Sequence, residues 1–194
     1  NLWSIYQSLK YISDENIEGD IVECGVYNGN TMAFIGEISD EFNLNKKIWG
    51  YDTFDGFVEN SFSDKDIDFK TGKKVVYDST DIYYSLNDVK KNIFQNNNKN
   101  FEKYIFIEGD ILKTLNNIEN IPNKISFLRM DTDIYKTTKK QLEVLFSRLS
   151  KGGILHIDDY GICPGVKSAV DEFFLNSDIW LHRVDLSCRY LIKK

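Results

Sequence analysis

The stretch from Phe127 to Tyr160 constrains this 194-residue chain more than any other. It reads FLRMDTDIY, then an amphipathic helical pattern, then GGILHIDDY. Two short apolar runs each end in acid: Asp131 and Asp133 after the first, Asp158 and Asp159 after the second. Parallel strands joined by a helix can be sheet neighbours, about 4.8 Å apart, with their carboxyl ends on one edge. Several carboxylates then meet where open α/β sheets bind ligands. Carboxylates that close repel, so a positive charge is expected among them. A hard divalent cation is the economical choice for an all-oxygen set. Each acid also has an ordinary reading, as a cap, a solvated loop residue or a turn former.

The rest of the chain continues the alternation of strand and helix. Leu2, Ile5, Tyr6, Leu9 and Ile12 recur at helical spacing. The run from Asp20 to Cys24 is an expected strand, followed by Gly25-Val26-Tyr27-Asn28-Gly29-Asn30 and a helix carrying Met32, Ile35 and Ile38. Lys47 to Tyr51 reads as a second strand ending at Asp52, and Tyr104 to Ile107 as a third ending at Glu108-Gly109-Asp110. A helix through Ile111, Leu112, Leu115 and Ile118 is expected to stop before Pro122. Ile125 to Met130 and Ile154 to Ile157 are the fourth and fifth strands. Between them Leu142, Leu145, Phe146 and Leu149 form a stripe, with Thr138 and Gln141 as a capping box and Gly152-Gly153 after the helix. Val166 to Phe173 is one more helix, and the tail is a strand pair turning near Leu186-Ser187.

These elements predict one doubly wound α/β domain over residues 1–194, with a mixed edge. Residues 55–100 are polar and irregular, with one helix from Leu86 to Phe94 capped by Ser85, and read as a lid or acceptor-binding insertion or as a solvated excursion. Cys24, Cys163 and Cys188 are too scattered for a disulfide framework or a cysteine zinc site, so a reducing, cytoplasmic setting is expected. No run approaches the ~18 apolar residues of a membrane span, and none reads as a signal peptide. A net charge of −6 argues against nucleic acid as the main partner.

The glycine turn is compatible with a ligand lying on backbone amides at a helix start, or with an ordinary strand–helix turn. It does not fit GxGxxG, because Tyr27 stands at the second glycine position. That counts against the pyrophosphate of NAD or FAD. S-adenosylmethionine has no phosphate and carries an amino-acid end, which Glu23 is placed to hold. Asp52 lies where such folds put a ribose-binding acid, and Asp110 is either an adenine contact or a helix cap. His156, inside a strand, reads as a core or supporting histidine rather than a ligand.

With those residues assembled, the chain resembles the macrocin O-methyltransferase family, the TylF/MycF type of class I methyltransferases. GDIVECGVYNGNT, YDTFDGF, LRMDTDIYKTT and GGILHIDDYGICPGVKSAVDEFF carry the resemblance, from about Gly19 to Phe174. It implies a Rossmann-like fold, a mostly parallel seven-stranded sheet with an antiparallel C-terminal hairpin. It implies methylation of a sugar hydroxyl, with S-adenosylmethionine and Mg2+ or another divalent cation. Asp131, Asp158 and Asp159 are the implied metal ligands, and Asp131 is preferred over Asp133 as catalytic base. Glu23, Gly25, Tyr27, Gly29, Asp52, Gly109 and Asp110 form the expected cofactor-binding set. Gly109-Asp110-Ile111 departs from the glycine and two bulky residues that members often carry there. The front of the chain, which opens on Asn1, is expected to be shorter than in relatives with an N-terminal extension.

The abundance of Asn, Lys and Ile fits an AT-rich bacterial genome. There, surface polysaccharide or its nucleotide-sugar precursor is the expected acceptor. The expected partner is therefore a small-molecule sugar, and the aromatic N-terminal helix is a candidate interface in a homo-oligomer. Two alternatives stay open: an O-methyltransferase acting on a non-sugar or phosphate-linked hydroxyl, and a nucleotide-binding module without catalysis or an NAD-dependent enzyme.

Overall fold

A computed structural model describes residues 1–75, 78, 82–94 and 101–194. Seven strands form one sheet in the order β3-β2-β1-β4-β5-β7-β6. They are β1 (Asp20–Cys24), β2 (Ile48–Asp52), β3 (Tyr104–Glu108), β4 (Ile125–Met130), β5 (Leu149–Ile157), β6 (His182–Arg183) and β7 (Arg189–Ile192). The first five run parallel, and β6 and β7 close the edge as an antiparallel pair. The order reverses at β1, between β2 and β4, so the crevice above β1 and β4 is the topological switch point.

Alternation along the central strands supplies both faces. Ile21, Phe127 and Ile154 point to one side, where α1 (Leu2–Asp14), α2 (Asn30–Glu41) and α3 (Leu86–Phe94) bring Leu9, Met32 and Val89. Val22, Leu128 and Leu155 point to the other, against Leu142 and Leu145 of α5 (Tyr135–Leu145) and Val166 and Val170 of α6 (Pro164–Phe173). Ser85 caps α3 as expected: its hydroxyl accepts from Asp88 N at 3.3 Å.

Four local expectations are corrected. The helix after β3, α4, is one turn, Ile111–Thr114, and the chain passes through a separate 3-10 turn at Ile118–Asn120, where Ile118 is exposed. Thr138 and Gln141 do not cap α5. It begins at Tyr135, Thr138 Oγ1 donates back to Ile134 O at 2.8 Å, and Gln141 Nε2 donates to Thr132 Oγ1 at 2.7 Å. The cap comes from the insertion instead, since the buried Asp66 accepts from Tyr135 N at 2.7 Å. Gly152-Gly153 does not end that helix; it lies inside β5, which starts at Leu149. Ile125 pairs with Leu149 and Phe127 with Ile154, so extra residues of β5 bulge there, and Gly152 at φ +79° accommodates them. The first strand of the tail pair shortens to His182–Arg183. The polar run Gln95 to Asn100 lies outside the described residues. Among those described, no helix is long and apolar enough to cross a membrane.

Candidate active site

The end of β1 is forced against the end of β4. Gly25 sits at φ +87°, and a Cβ there would fall 1.7 Å from the backbone oxygen of Asp131, so only glycine fits. Gly29 heads α2 at φ +83°, and Val89 and Ile93 of α3 pack on the side a Cβ would occupy. Between them Tyr27 adopts φ +51°, a glycine-like backbone that carries a phenol ring. The ring is half exposed and meets Tyr84 edge-on, with centroids 5.0 Å apart.

Asp52 ties this turn down. Its Oδ2 accepts from Val26 N at 2.7 Å and Tyr27 N at 3.0 Å, and Oδ1 accepts from Phe54 N at 2.9 Å. Thr53 Oγ1 also lies 3.4 Å from Oδ1 but bonds more closely to Gly56 O, so of the about four acceptor positions on two carboxylate oxygens the one it approaches is the one a ligand hydroxyl would take. Asp110 is the cap of α4, accepting from Leu112 N at 3.0 Å. A cavity of about 390 Å³ opens here. Gly25, Tyr27, Asp52, Gly109, Asp110 and Asp131 all line it, together with Asp133. Glu23 and Gly29 do not.

Glu23 has another partner. In register across the sheet, Glu23 of β1 pairs with Arg129 of β4, which pairs with His156 of β5. All three are buried on the face that α1 covers. Arg129 Nη1 lies 3.0 Å from Glu23 Oε1 and 2.6 Å from Asp131 Oδ2, and Nη2 lies 3.2 Å from Asp158 Oδ2. Burial disfavours the guanidinium charge, but the three carboxylates outweigh it and hold the Arg129 pKa above its ordinary value. His156 is a core histidine, as the sequence suggested: its Nε2 is 2.9 Å from Ser4 Oγ and 3.2 Å from Cys188 Sγ. Burial, with Arg129 nearby, pushes it down to about 3, so it stays neutral.

The sequence-predicted cluster does assemble. Asp131, Asp158 and Asp159 each place a carboxylate oxygen within 4.8 Å of the others. Asp159 is 6% exposed, and its Oδ2 is buried with no hydrogen-bond partner among the described residues. Burial, then the Asp133, Asp131 and Asp158 carboxylates, push its carboxyl up to about 10. Burial, opposed by Arg129, pushes Glu23 up to about 8. One guanidinium does not balance this many acids, and an orphaned buried oxygen in an all-oxygen set fits a hard divalent cation.

Three features escaped the sequence reading. Arg129 is the largest; the signal for it was a lone arginine inside an apolar strand. The second is the packing of the head of α1 against the cluster, where the side chain of Asn1, its N-cap residue, donates to Asp158. The third is the aromatic wall from the insertion, where Tyr83 and Tyr84 line the cavity.

The chain matches the Macrocin-O-methyltransferase (TylF) family model over residues 2–193. It is 29% identical to a demethyldecarbamoylnovobiocin O-methyltransferase of Streptomyces niveus, over 92% of this chain and 66% of that one. It is also 29% identical to a mycinamicin III 3''-O-methyltransferase of Micromonospora griseorubida, over 82% of this chain and 61% of that protein. The chain thus spans about two thirds or less of the length of these relatives. The solved structure of the O-methyltransferase NovP superposes with a TM-score of 0.82 at 25% identity, covering 100% of this chain and 79% of that one. With the family model matched almost end to end, the chain belongs to the macrocin O-methyltransferase family.

Proposed function

We propose that this chain is an O-methyltransferase that moves a methyl group from S-adenosylmethionine to a sugar hydroxyl, assisted by a divalent cation. One observation carries the reading: Asp131, which gathers with Asp158 and Asp159, also lines the cavity formed by the glycine turn and Asp52. Donor site and metal centre then share one edge of the sheet. The acceptor we infer is a nucleotide-linked or surface-polysaccharide sugar.

The chain's own residues do the positioning. Gly25 lets a donor approach the backbone, and Asp52 locks the turn while presenting an oxygen to a ribose hydroxyl. Gly109 and Asp110 border the adenine end, and Tyr27 with Tyr84 walls off water. Glu23 acts through Arg129 rather than by touching the donor. Methyl transfer from a sulfonium to oxygen gains chiefly from holding the reacting atoms in line. A cation held by Asp131, Asp158 and Asp159 would supply Lewis acidity that lowers the pKa of a bound hydroxyl.

The hydroxyl proton is assigned to Asp131, on the cavity wall. Its pairing with Arg129 weakens it as a base, which favours Asp133, also on that wall, as the alternative acceptor. Asp131→Asn and Asp133→Asn, compared in kcat, separate the two. Titration calorimetry with S-adenosylhomocysteine and with NAD, followed by acceptor profiling with and without EDTA, tests the whole reading. Binding of NAD alone would overturn it, and full activity in EDTA would remove its metal component.

A further inference from the structure

Behind the oxygen-only cluster lies a second set of ligand atoms. Asp133, Asp159 and Cys163 place a carboxylate oxygen, a carboxylate oxygen and a sulfur within 4.8 Å of one another. Cys163 is held there by backbone: its N–H donates to Asp159 O at 2.9 Å, folding the chain back through one turn and bringing the thiol beside the carboxylate four residues before it. It heads the ten-residue helix α6, with Pro164 at the first helical position; burial, then the Asp159, Asp133 and Asp131 carboxylates, hold its thiol well above the usual range, so a bound ion has to take the place of the proton. Asp133 adopts φ +62°, a left-handed conformation at the end of β4. Asp159 brings the independent observation, the buried carboxylate oxygen without a partner. The sulfur changes the chemistry of the group. Three aspartates select hard cations, whereas a thiolate with carboxylates suits Zn2+ and Co2+.

We infer that Asp133, Asp159 and Cys163 form a mixed oxygen–sulfur site for a thiophilic divalent ion, sharing Asp159 with the Asp131–Asp158–Asp159 centre. It rests on the reading of that cluster as a metal centre. Binding displaces the Cys163 proton to solvent and forms a metal–sulfur bond, with no change of oxidation state. Because Asp159 serves both sites, a thiophilic ion competes with Mg2+ and blocks methyl transfer.

Cobalt(II) titration of the intact protein reads the sulfur directly, through the thiolate-to-cobalt absorption in the near ultraviolet. The wild type should show the band. Cys163→Ser should abolish it and weaken Zn2+ binding by at least about tenfold, while Mg2+-dependent thermal stabilisation persists. Cys188→Ser should keep the band, because that thiol faces His156 instead. Asp131→Asn should keep it too, since Asp131 belongs only to the oxygen set. No band in the wild type, or a band surviving Cys163→Ser, would overturn the inference. A band together with full activity in EDTA would leave this site standing and sink the metal-assisted reaction alone.

Discussion

Arg129 and Asp131 are ion-paired at 2.6 Å across the end of β4, so the residue expected to bind a metal already leans on a buried guanidinium. The same guanidinium pairs with Glu23 and Asp158. Arg129 is 4% exposed and Glu23 0%, so water does not screen that pair. Arg129→Met should therefore destabilise the fold by about 3–5 kcal/mol, the cost typical of breaking a buried pair from one side. Adding Glu23→Gln should recover part of that loss above about pH 8, where the most deeply buried carboxylate would otherwise carry its charge. Urea unfolding of the single and double variants measures it; a double variant no more stable than Arg129→Met would refute this account of Glu23.

Removing a ligand should be felt as binding before it is felt as folding. Asp158→Asn keeps size and shape and loses one charge beside Arg129. Loss of at least about 10–100-fold in Mg2+ affinity is expected, with a matching fall in activity at subsaturating metal that excess Mg2+ partly restores. Restoration is the discriminating readout, since a variant that merely misfolds is not rescued by the cation.

Metal stabilisation should grow with pH. Asp159 is raised to about 10 by burial and by Asp133, Asp131 and Asp158, and Glu23 to about 8 by burial against the pull of Arg129. A carboxyl whose folded pKa is raised binds its proton more tightly in the native state than in the unfolded one. Its contribution is complete below the ordinary carboxylate range near pH 4 and is lost as pH climbs through the folded value. The metal-free chain should thus lose stability from about pH 5 to about pH 9. A cation takes the place of the proton at Asp159, so the rise in Tm on adding Mg2+ should be larger at about pH 8.5 than at about pH 6. Equal shifts at the two pH values would count against Asp159 as a ligand.

The convergence of Asp131 with Asp158 and Asp159 was legible because β4 and β5 each carry an apolar run that stops at acid. Arg129 was legible in principle as the odd residue in Phe127-Leu128-Arg129-Met130. Its partner was not, because pairing it with Glu23 requires the β1–β4 register, which alternation within single strands does not specify. Gly152 misled because a helix end and a strand bulge make the same demand, a residue at positive φ. Thr138 misled because its hydroxyl bonds back to Ile134 O inside the helix rather than capping it, while the real cap, Asp66, is remote in sequence. Tyr83 and Tyr84 sit in an aperiodic segment, where nothing in the spacing marks a cavity wall.

The backbone of Tyr27 offers a separation of stability from binding. At φ +51° a non-glycine residue bears left-handed strain of roughly 1–2 kcal/mol, which glycine relieves. Glycine in turn costs about 0.5–1 kcal/mol in unfolded-chain entropy. It also gives up the edge-on contact with Tyr84, worth about 0.5–1.5 kcal/mol. These contributions nearly cancel, so Tyr27→Gly should leave the unfolding midpoint in urea almost unchanged. The same substitution removes a half-exposed ring from the cavity wall, so calorimetry should show S-adenosylhomocysteine binding about tenfold more weakly, consistent with a lost contact of about 1.4 kcal/mol. Gly25→Ala makes the opposite case. Its methyl would lie 1.7 Å from Asp131 O, so both the fold and donor binding should suffer. Undiminished binding in Tyr27→Gly, with the fold intact, would remove the phenol from the donor site and leave the turn's backbone as its only contribution there.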